Sequence, residues 1–285
     1  MNSILEVAGL HKQIGSFRLE DVSFSLQEGC ITGLVGINGA GKTTTIKAIL
    51  GLVPADAGNI ALFGKDIAAY ERELKNRIGI VMDEGYFYED LTLQEMKSII
   101  AQAYSQWDEA AFKQYLSRFN LQPRQKISTL SKGMRMKYAL ALALSHQAEL
   151  LIMDEPTSGL DPLVRSELMD ILLDFMQSGG KSVFFSTHIT SDLDKVADAL
   201  IFMDKGRIRF VEDKDALLDS HAVVKGDKTA LNEETRTLFL SLDETHYGFT
   251  GLTGHKMAVR QKMNNVLIER PTIEDVMLGY LKGAK

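Results

Sequence analysis

Apolar residues fall into short blocks along this chain, and the blocks predict two kinds of element. Ile31-Thr-Gly-Leu-Val35 and Ile78-Gly-Ile-Val-Met82 are brief, nearly continuous and β-branched. Such runs read as strands buried on both faces. Similar signals recur at Glu149–Met153, Ser182–Ser186 and Ala199–Met203. Helical patterns lie between strands at Thr44–Leu50, where Gly51 is placed as a C-terminal cap, and at Leu163–Gln177. Strands alternating with helices imply a parallel sheet covered on both faces, with a ligand at the carboxyl ends of the strands. Before this core, Ile4–Val7 and Val22–Leu26 read as strands around a turn at Gly15-Ser16. The turn Pro54-Ala-Asp-Ala-Gly58 leads into the strand Asn59–Phe63, and Lys65 to Arg77 is polar and loosely helical. Residues 92 to 146 carry few strand signals. Leu93–Tyr104, Glu109–Phe119 and Ser131–Ser145 read there as helices, the last capped by Ser131, so an inserted helical subdomain is expected. Asp204-Lys-Gly-Arg207 reads as a hairpin turn into Ile208–Val211.

Past Glu212 the pattern becomes weaker and more polar. The charge run Glu212-Asp-Lys-Asp215 reads as a solvated helix start. Alternation around Ala258–Arg260 and Val266–Ile268, then a helix from Ile273 to Leu281, suggests a small appended α/β domain. The expected division is therefore 1–211 and 212–285. No apolar run approaches the length of a bilayer span, and the first residues do not resemble a secretory signal. A membrane role would need partner chains.

Composition changes this picture little. Hydrophobic residues are 45 % and charged residues 25 % of the chain, an ordinary globular balance. The net charge of −6 provides no overall positive field for phosphates, so no nucleic-acid partner is expected. Cys30 is the single cysteine, which excludes an intramolecular disulfide and fits a reducing compartment.

The chemistry concentrates at Gly36-Ile-Asn-Gly-Ala-Gly-Lys-Thr43, between the strand Ile31–Val35 and the helix that follows. This is the phosphate-binding loop pattern. Its glycines allow successive N–H groups to face phosphate oxygens, and the helix presents its positive end to the same anion. Lys42 can reach the β- and γ-phosphates, and the Thr43 hydroxyl can ligate Mg²⁺. Leu150-Leu-Ile-Met-Asp154-Glu155 is an apolar strand ending in two carboxylates. Behind a phosphate loop, Asp154 is placed to hold Mg²⁺ and Glu155 to polarise the attacking water.

Three further stretches complete a pattern: Leu130-Ser-Lys-Gly-Met134, Pro156-Thr-Ser-Gly-Leu-Asp161 and Ser186-Thr-His188. Together with the phosphate loop, they resemble the signature motif, D-loop and switch histidine of the ATP-binding cassette (ABC) family over residues 4 to 211. The resemblance implies an α/β fold. Its parts are a P-loop NTPase (RecA-like) core, an antiparallel β subdomain, the helical subdomain and a C-terminal extension. It implies ATP and Mg²⁺ as ligands, with nucleotide contacts from Gly36, Asn38, Gly39, Ala40, Gly41, Lys42, Thr43 and Thr44. It also places Ser131, Gly133 and Asp161 at a second cassette's nucleotide across a head-to-tail dimer, and His188 at the γ-phosphate. Ser131 and Asp161 read equally well as plain helix caps.

Two positions depart from the family pattern, besides Lys132 and Met134 in the signature. The adenine-stacking aromatic is replaced by Ile14, with Phe17 nearby. The glutamine that senses γ-phosphate and Mg²⁺ is replaced by Asp83, followed by Glu84. A carboxylate there suggests that closure depends on a partner, so Asp83→Gln should speed the isolated chain; a solvent-facing Asp83 is the alternative. Tyr86-Phe87-Tyr88 resembles the segment that docks a membrane subunit, or seals the helical subdomain.

The resemblance thus implies the ATPase subunit of a transporter, of bacterial export type, pairing with a second cassette and with integral membrane permease subunits at the cytoplasmic face. A cassette ATPase acting on nucleic acid, ribosomes or a scaffold is the rival. A phosphate-loop kinase would leave the signature unexplained.

Overall fold

The structure is a computed structural model that describes residues 3–83 and 86–283. In chain order, β1 (Ser3–Ile14) and β2 (Phe17–Gln27) form a hairpin, and β3 (Ile31–Val35) leads through the phosphate loop into α1 (Lys42–Ile49). Then come β4 (Ala57–Leu62), β5 (Lys65–Asp66), α2 (Ile67–Lys75) and β6 (Ile78–Val81). The helical region holds α3 (Leu93–Ala101), α4 (Glu109–Arg118) and α5 (Lys132–Leu144). The core resumes with β7 (Leu150–Asp154), α6 (Pro162–Met176), β8 (Ser182–Thr187), α7 (Thr190–Val196), β9 (Ala199–Asp204) and β10 (Arg207–Asp213). The remainder is α8 (Lys214–Ser220), β11 (Ala222–Gly226), α9 (Glu233–Arg236), β12 (Ser241–Thr245), β13 (Gly248–Thr253), α10 (Lys256–Lys262), β14 (Leu267–Glu269) and α11 (Ile273–Gly283).

The central sheet runs β10-β9-β3-β8-β7-β6. Its pairs are parallel except β9 with β10, which closes one edge as a hairpin. Both faces are covered, which is why β3 and β7 are buried at every residue and read as continuous apolar runs. Side chains alternate between two cores. Phe184 joins Ile46 and Ile49 of α1 and the inner face of the antiparallel sheet β2-β1-β4-β5. Phe185 joins Tyr138 of α5, Leu168 and Leu172 of α6 and Leu193 of α7. The close packing of α7 on β3 requires Gly33, where an added Cβ would lie 2.1 Å from Leu193 Cδ2.

The caps follow the chemistry of their residues. Ser131 accepts from the Met134 N–H at the start of α5, and Asp161 accepts from the Leu163 and Val164 N–H groups at the start of α6. Thr92 and Glu95 form a reciprocal capping box on α3.

The C-terminal part is where the structure corrects the sequence pattern most. Ala258–Arg260, expected as an alternating segment, lies inside helix α10, because Val259 and Met263 are the buried pair, four residues apart. Strands β11, β12 and β13 carried no signal that was read, yet they build most of a sheet ordered β12-β13-β11-β14. Glu212 and Asp213 belong to β10, and the helix of that charge run begins only at Lys214, capped by Asp213. The extension has a small core of its own around Val224, Phe249 and Val259. It also shares the large core through Leu217, Leu252, Val276 and Met277. Tyr280 of α11 packs against Phe202 of β9 and Phe210 of β10, with ring centroids 6.3 and 5.2 Å apart.

Candidate functional site

The phosphate loop leaves the carboxyl end of β3 in a geometry that excludes side chains. A Cβ on Gly36 would stand 2.3 Å from the Met203 carbonyl oxygen, so the loop lies directly on the end of β9. Gly41 has φ +112°, and a Cβ there would strike Leu19 and Phe17. It occupies the N-cap position of α1 without offering a side-chain cap, which leaves the first amides of that helix for a ligand.

Lys42 is buried, and its Nζ donates to the carbonyls of Gly36 (2.7 Å) and Ile37 (3.3 Å). The same ammonium lies 3.0 Å from Glu155 Oε1. Glu155 Oε2 sits 2.7 Å from His188 Nδ1 and accepts from the His188 backbone N–H. Residues separated by more than a hundred positions therefore form one line: lysine, glutamate, histidine. Glu155 holds φ +47°, a left-handed conformation that costs a non-glycine residue about 1–2 kcal/mol.

Strand register supplies the next connection. Asp154 at the end of β7 is opposite Ser186 on β8. The Ser186 hydroxyl donates to Asp154 Oδ1 at 2.6 Å and accepts from the Glu155 N–H at 2.9 Å. Burial pushes the Asp154 carboxyl above the ordinary carboxylate range. Hydrogen bonds from Ser186 and Thr43 act against that rise, and the neighbouring Glu155 charge adds to it. Sequence reasoning placed Asp154, Glu155 and His188 at the site but gave Ser186 no role, although the Ser-Thr-His ending of β8 was its available signal.

A cavity of about 660 Å³ opens over these groups, a volume ordinary for a small-molecule site. Its wall includes Ile14 and Phe17, the loop from Asn38 to Thr44, Asp83, Glu155 and His188. Ser158 also lines it and was not foreseen. Phe17 is the aromatic ring that reaches the phosphate loop, while Ile14 is half exposed at the tip of the β1–β2 hairpin.

A family model described as ABC transporter matches residues 19–158. The bacitracin transport ATP-binding protein BcrA of Bacillus licheniformis is 33 % identical over 211 residues, which cover 73 % of this chain and 69 % of that protein. The linearmycin resistance ATP-binding protein LnrL of Bacillus subtilis (strain 168) is 33 % identical over 239 residues, covering 81 % and 76 %. The chain belongs to the ATP-binding subunits of ABC transporters. A solved structure described as the ATP-binding subunit of an ABC transporter superposes with a TM-score of 0.69 at 30 % identity, over 76 % of this chain and 92 % of that one. The RecA-like core, antiparallel subdomain, inserted helical region and C-terminal extension are thus those of a cassette that binds and hydrolyses ATP.

The cassette's remaining motif residues lie elsewhere. Ser131, Gly133 and Asp161 are not part of the cavity wall. Gly133 faces Val164 in the first turn of α6, where an added Cβ would come within 3.3 Å of it, so the signature and D-loop helices start side by side. Asp192, buried at the start of α7, pairs with Arg165 of α6 at 2.6 Å and ties the D-loop helix to the segment after His188. Asp83 reaches the cavity, but its carboxylate is engaged by Lys132, 2.8 Å away. Glu84 lies outside the described residues. Of the aromatic triplet, Phe87 seals the helical region against Tyr138 (5.2 Å), whereas Tyr86 and Tyr88 are exposed. No helix among the described residues is long and apolar enough to cross a membrane.

Proposed function

We propose that two cassettes, identical or not, close head to tail around two ATP molecules and drive separate permease subunits that export a peptide-like or antibiotic-like substrate. Residues 1–211 would form the working cassette and 212–285 an accessory unit. The protein would sit at the cytoplasmic face of the membrane, held there by its permease through a surface that includes Tyr86 and Tyr88. Support for export comes from the similarity to BcrA, a bacitracin transport protein, and to LnrL, a linearmycin resistance protein.

The observation that carries the reading is the line from Lys42 through Glu155 to His188 in a cavity that lacks Ser131 and Gly133. One chain supplies the loop, the base and the histidine. The signature amides, a second anion site at the start of α5, remain available to another copy. On ATP binding, Lys42 exchanges Glu155 for the β- and γ-phosphates, and Glu155 then accepts the proton of the attacking water. His188 is bonded to Glu155 and marks where the γ-phosphate ends.

The donor set fits Mg²⁺. Thr43 and Asp154 bring hard oxygen atoms together, and the buried Asp154 has an energetic reason to accept a cation. Among the described residues no three acidic, histidine or cysteine side chains are arranged to hold a metal ion by themselves, so phosphates and water would complete the shell. Bound there, the ion would neutralise charge on the transferring phosphoryl group. Asp83 could join its water shell only after Lys132 lets go.

Glu155→Gln tests the proposal. Hydrolysis should fall about 10²–10⁴-fold, the scale of a lost general base. ATP binding should persist, and light scattering should show an ATP-dependent dimer. A monomer at saturating Mg-ATP would refute the sandwich, and undiminished turnover would remove Glu155 from its role.

A further inference from the structure

One buried hydroxyl bonds both acidic residues at the end of β7. Ser186 is fully inaccessible on β8, two residues beyond Phe184 and so on the sheet face that α1 covers. The chemistry of its partners fixes its bonding directions. The Glu155 N–H can only donate, so it takes a lone pair of the hydroxyl oxygen, at 2.9 Å. An ionised carboxylate can only accept, so the single hydroxyl proton goes to Asp154 Oδ1, at 2.6 Å. Two committed partners lock the rotation of both the hydroxyl and the carboxylate. Thr43 bonds the same carboxylate, so the two oxygen donors that fit Mg²⁺ are held together within the chain itself. Glu155 depends on the same hydroxyl in another way. Its backbone is strained at φ +47°, and the bond from its N–H to Ser186 is one of the contacts that hold it there.

We propose that Ser186 is a positioning residue for the ATPase reaction: its one hydroxyl presets the Asp154 carboxylate for Mg²⁺ and holds the Glu155 backbone in the conformation from which the base works. Mg²⁺ demands near-ideal octahedral geometry, so a ligand oxygen that is already oriented binds it more tightly than one on a free rotor. The hydroxyl also fixes the metal ligand and the base relative to each other, because Asp154 and Glu155 are adjacent and both are bonded to the same oxygen. Without it, the Asp154 carboxylate can turn and the Glu155 N–H loses its partner. The inference rests on the proposed roles of Thr43, Asp154 and Glu155.

The test measures equilibrium binding of the non-hydrolysable analogue AMP-PNP to the full chain, in EDTA and across a Mg²⁺ titration. Ser186→Thr and Ser186→Val add bulk at the same place and differ in the hydroxyl. Ser186→Val should raise the Mg²⁺ concentration needed for half-maximal tightening about 10–100-fold, and Ser186→Thr should stay within about threefold of wild type. In EDTA the three chains should bind the analogue within about twofold of one another, a split that general damage to the phosphate loop would not produce. Ser186→Ala, which loses the hydroxyl without added bulk, should follow Ser186→Val and serves in its place if the valine variant does not fold. At saturating Mg²⁺ the kcat of the hydroxyl-free variants should remain about tenfold below wild type, because Glu155 is no longer held. Wild-type Mg²⁺ dependence in Ser186→Val and Ser186→Ala overturns the proposal, as does a threonine variant as impaired as the valine one. A kcat that Mg²⁺ alone restores overturns the hold on Glu155. Wild-type affinity for AMP-PNP that ignores Mg²⁺ overturns the Mg²⁺ reading of Thr43 and Asp154, and this inference with it.

Discussion

Around the nucleotide cavity Lys42, Asp154 and Ser186 are almost inaccessible, and each has a charged or hydrogen-bonded partner. In the C-terminal sheet, every residue of β12 is at least partly exposed, and ion pairs such as Lys282–Asp243 and Lys262–Glu234 lie at the surface. The first region stores unfavourable terms: a left-handed glutamate and a buried carboxylate. The second stores fewer, the left-handed Asn265 and the buried His221, and is held by docking, with α11 laid against the core through Tyr280 and Met277. The difference shows where function is located. Strain and buried charge persist where a ligand will relieve them. The two regions still touch, since Met277 and Leu278 of α11 share a second cavity with Ile37 and the segment after His188.

The largest effect expected is on the cavity side. Lys42→Ala removes the buried cation placed to meet the β- and γ-phosphates, so ATP affinity should fall by more than about 10²-fold, several kcal/mol. Nucleotide titration at wild-type affinity would end the phosphate-loop assignment.

A change in the docked region should act on stability instead. Gly279 lets α11 approach β13, and a Cβ there would lie 2.1 Å from Leu252 Cδ2. Gly279→Leu should cost about 1–3 kcal/mol, as overpacking does, seen as a lower urea midpoint with ATP affinity preserved. If ATP affinity fell in step, the two regions would be one energetic unit and the contrast would fail.

The smallest effect sharpens the contrast by its sign. The Asp154 carboxyl is raised by burial, so its proton is held more tightly in the folded chain than in the unfolded one. The charged form is therefore a folding penalty. It is absent below the unfolded value, near 3.8, and grows as pH rises through the folded value. In Mg²⁺-free buffer at neutral pH, Asp154→Asn should melt higher, by about 2–4 °C, and the gain should vanish in acid. A lower melting temperature at neutral pH would mean that the hydrogen bonds from Ser186 and Thr43 outweigh desolvation.

Sequence patterning recovered the core strands because parallel strands buried on both faces are apolar throughout. It failed in the extension for the converse reason. Ser241-Leu-Asp-Glu-Thr245 is a short strand exposed along its length, and Gly248-Phe-Thr-Gly-Leu-Thr253, although mostly buried, carries glycines and threonines in place of a continuous apolar run. The short alternation at Ala258–Arg260 fits a strand or a helix, and only the packing of Val259 with Met263 decides between them.

By itself the sequence determined the phosphate loop, the Asp154-Glu155 strand end and the caps at Ser131 and Asp161, because each depends on neighbours a few residues away. The line from Lys42 through Glu155 to His188, the bridge from Ser186 to Asp154 and the pairing of Asp83 with Lys132 were decided only by tertiary structure. These contacts join residues dozens to more than a hundred positions apart. Which strand lies beside which, and in what register, sets their meeting, as when β7 and β8 place Asp154 opposite Ser186. That register is a property of the packed sheet, where a shift of one residue would turn every side chain to the other face.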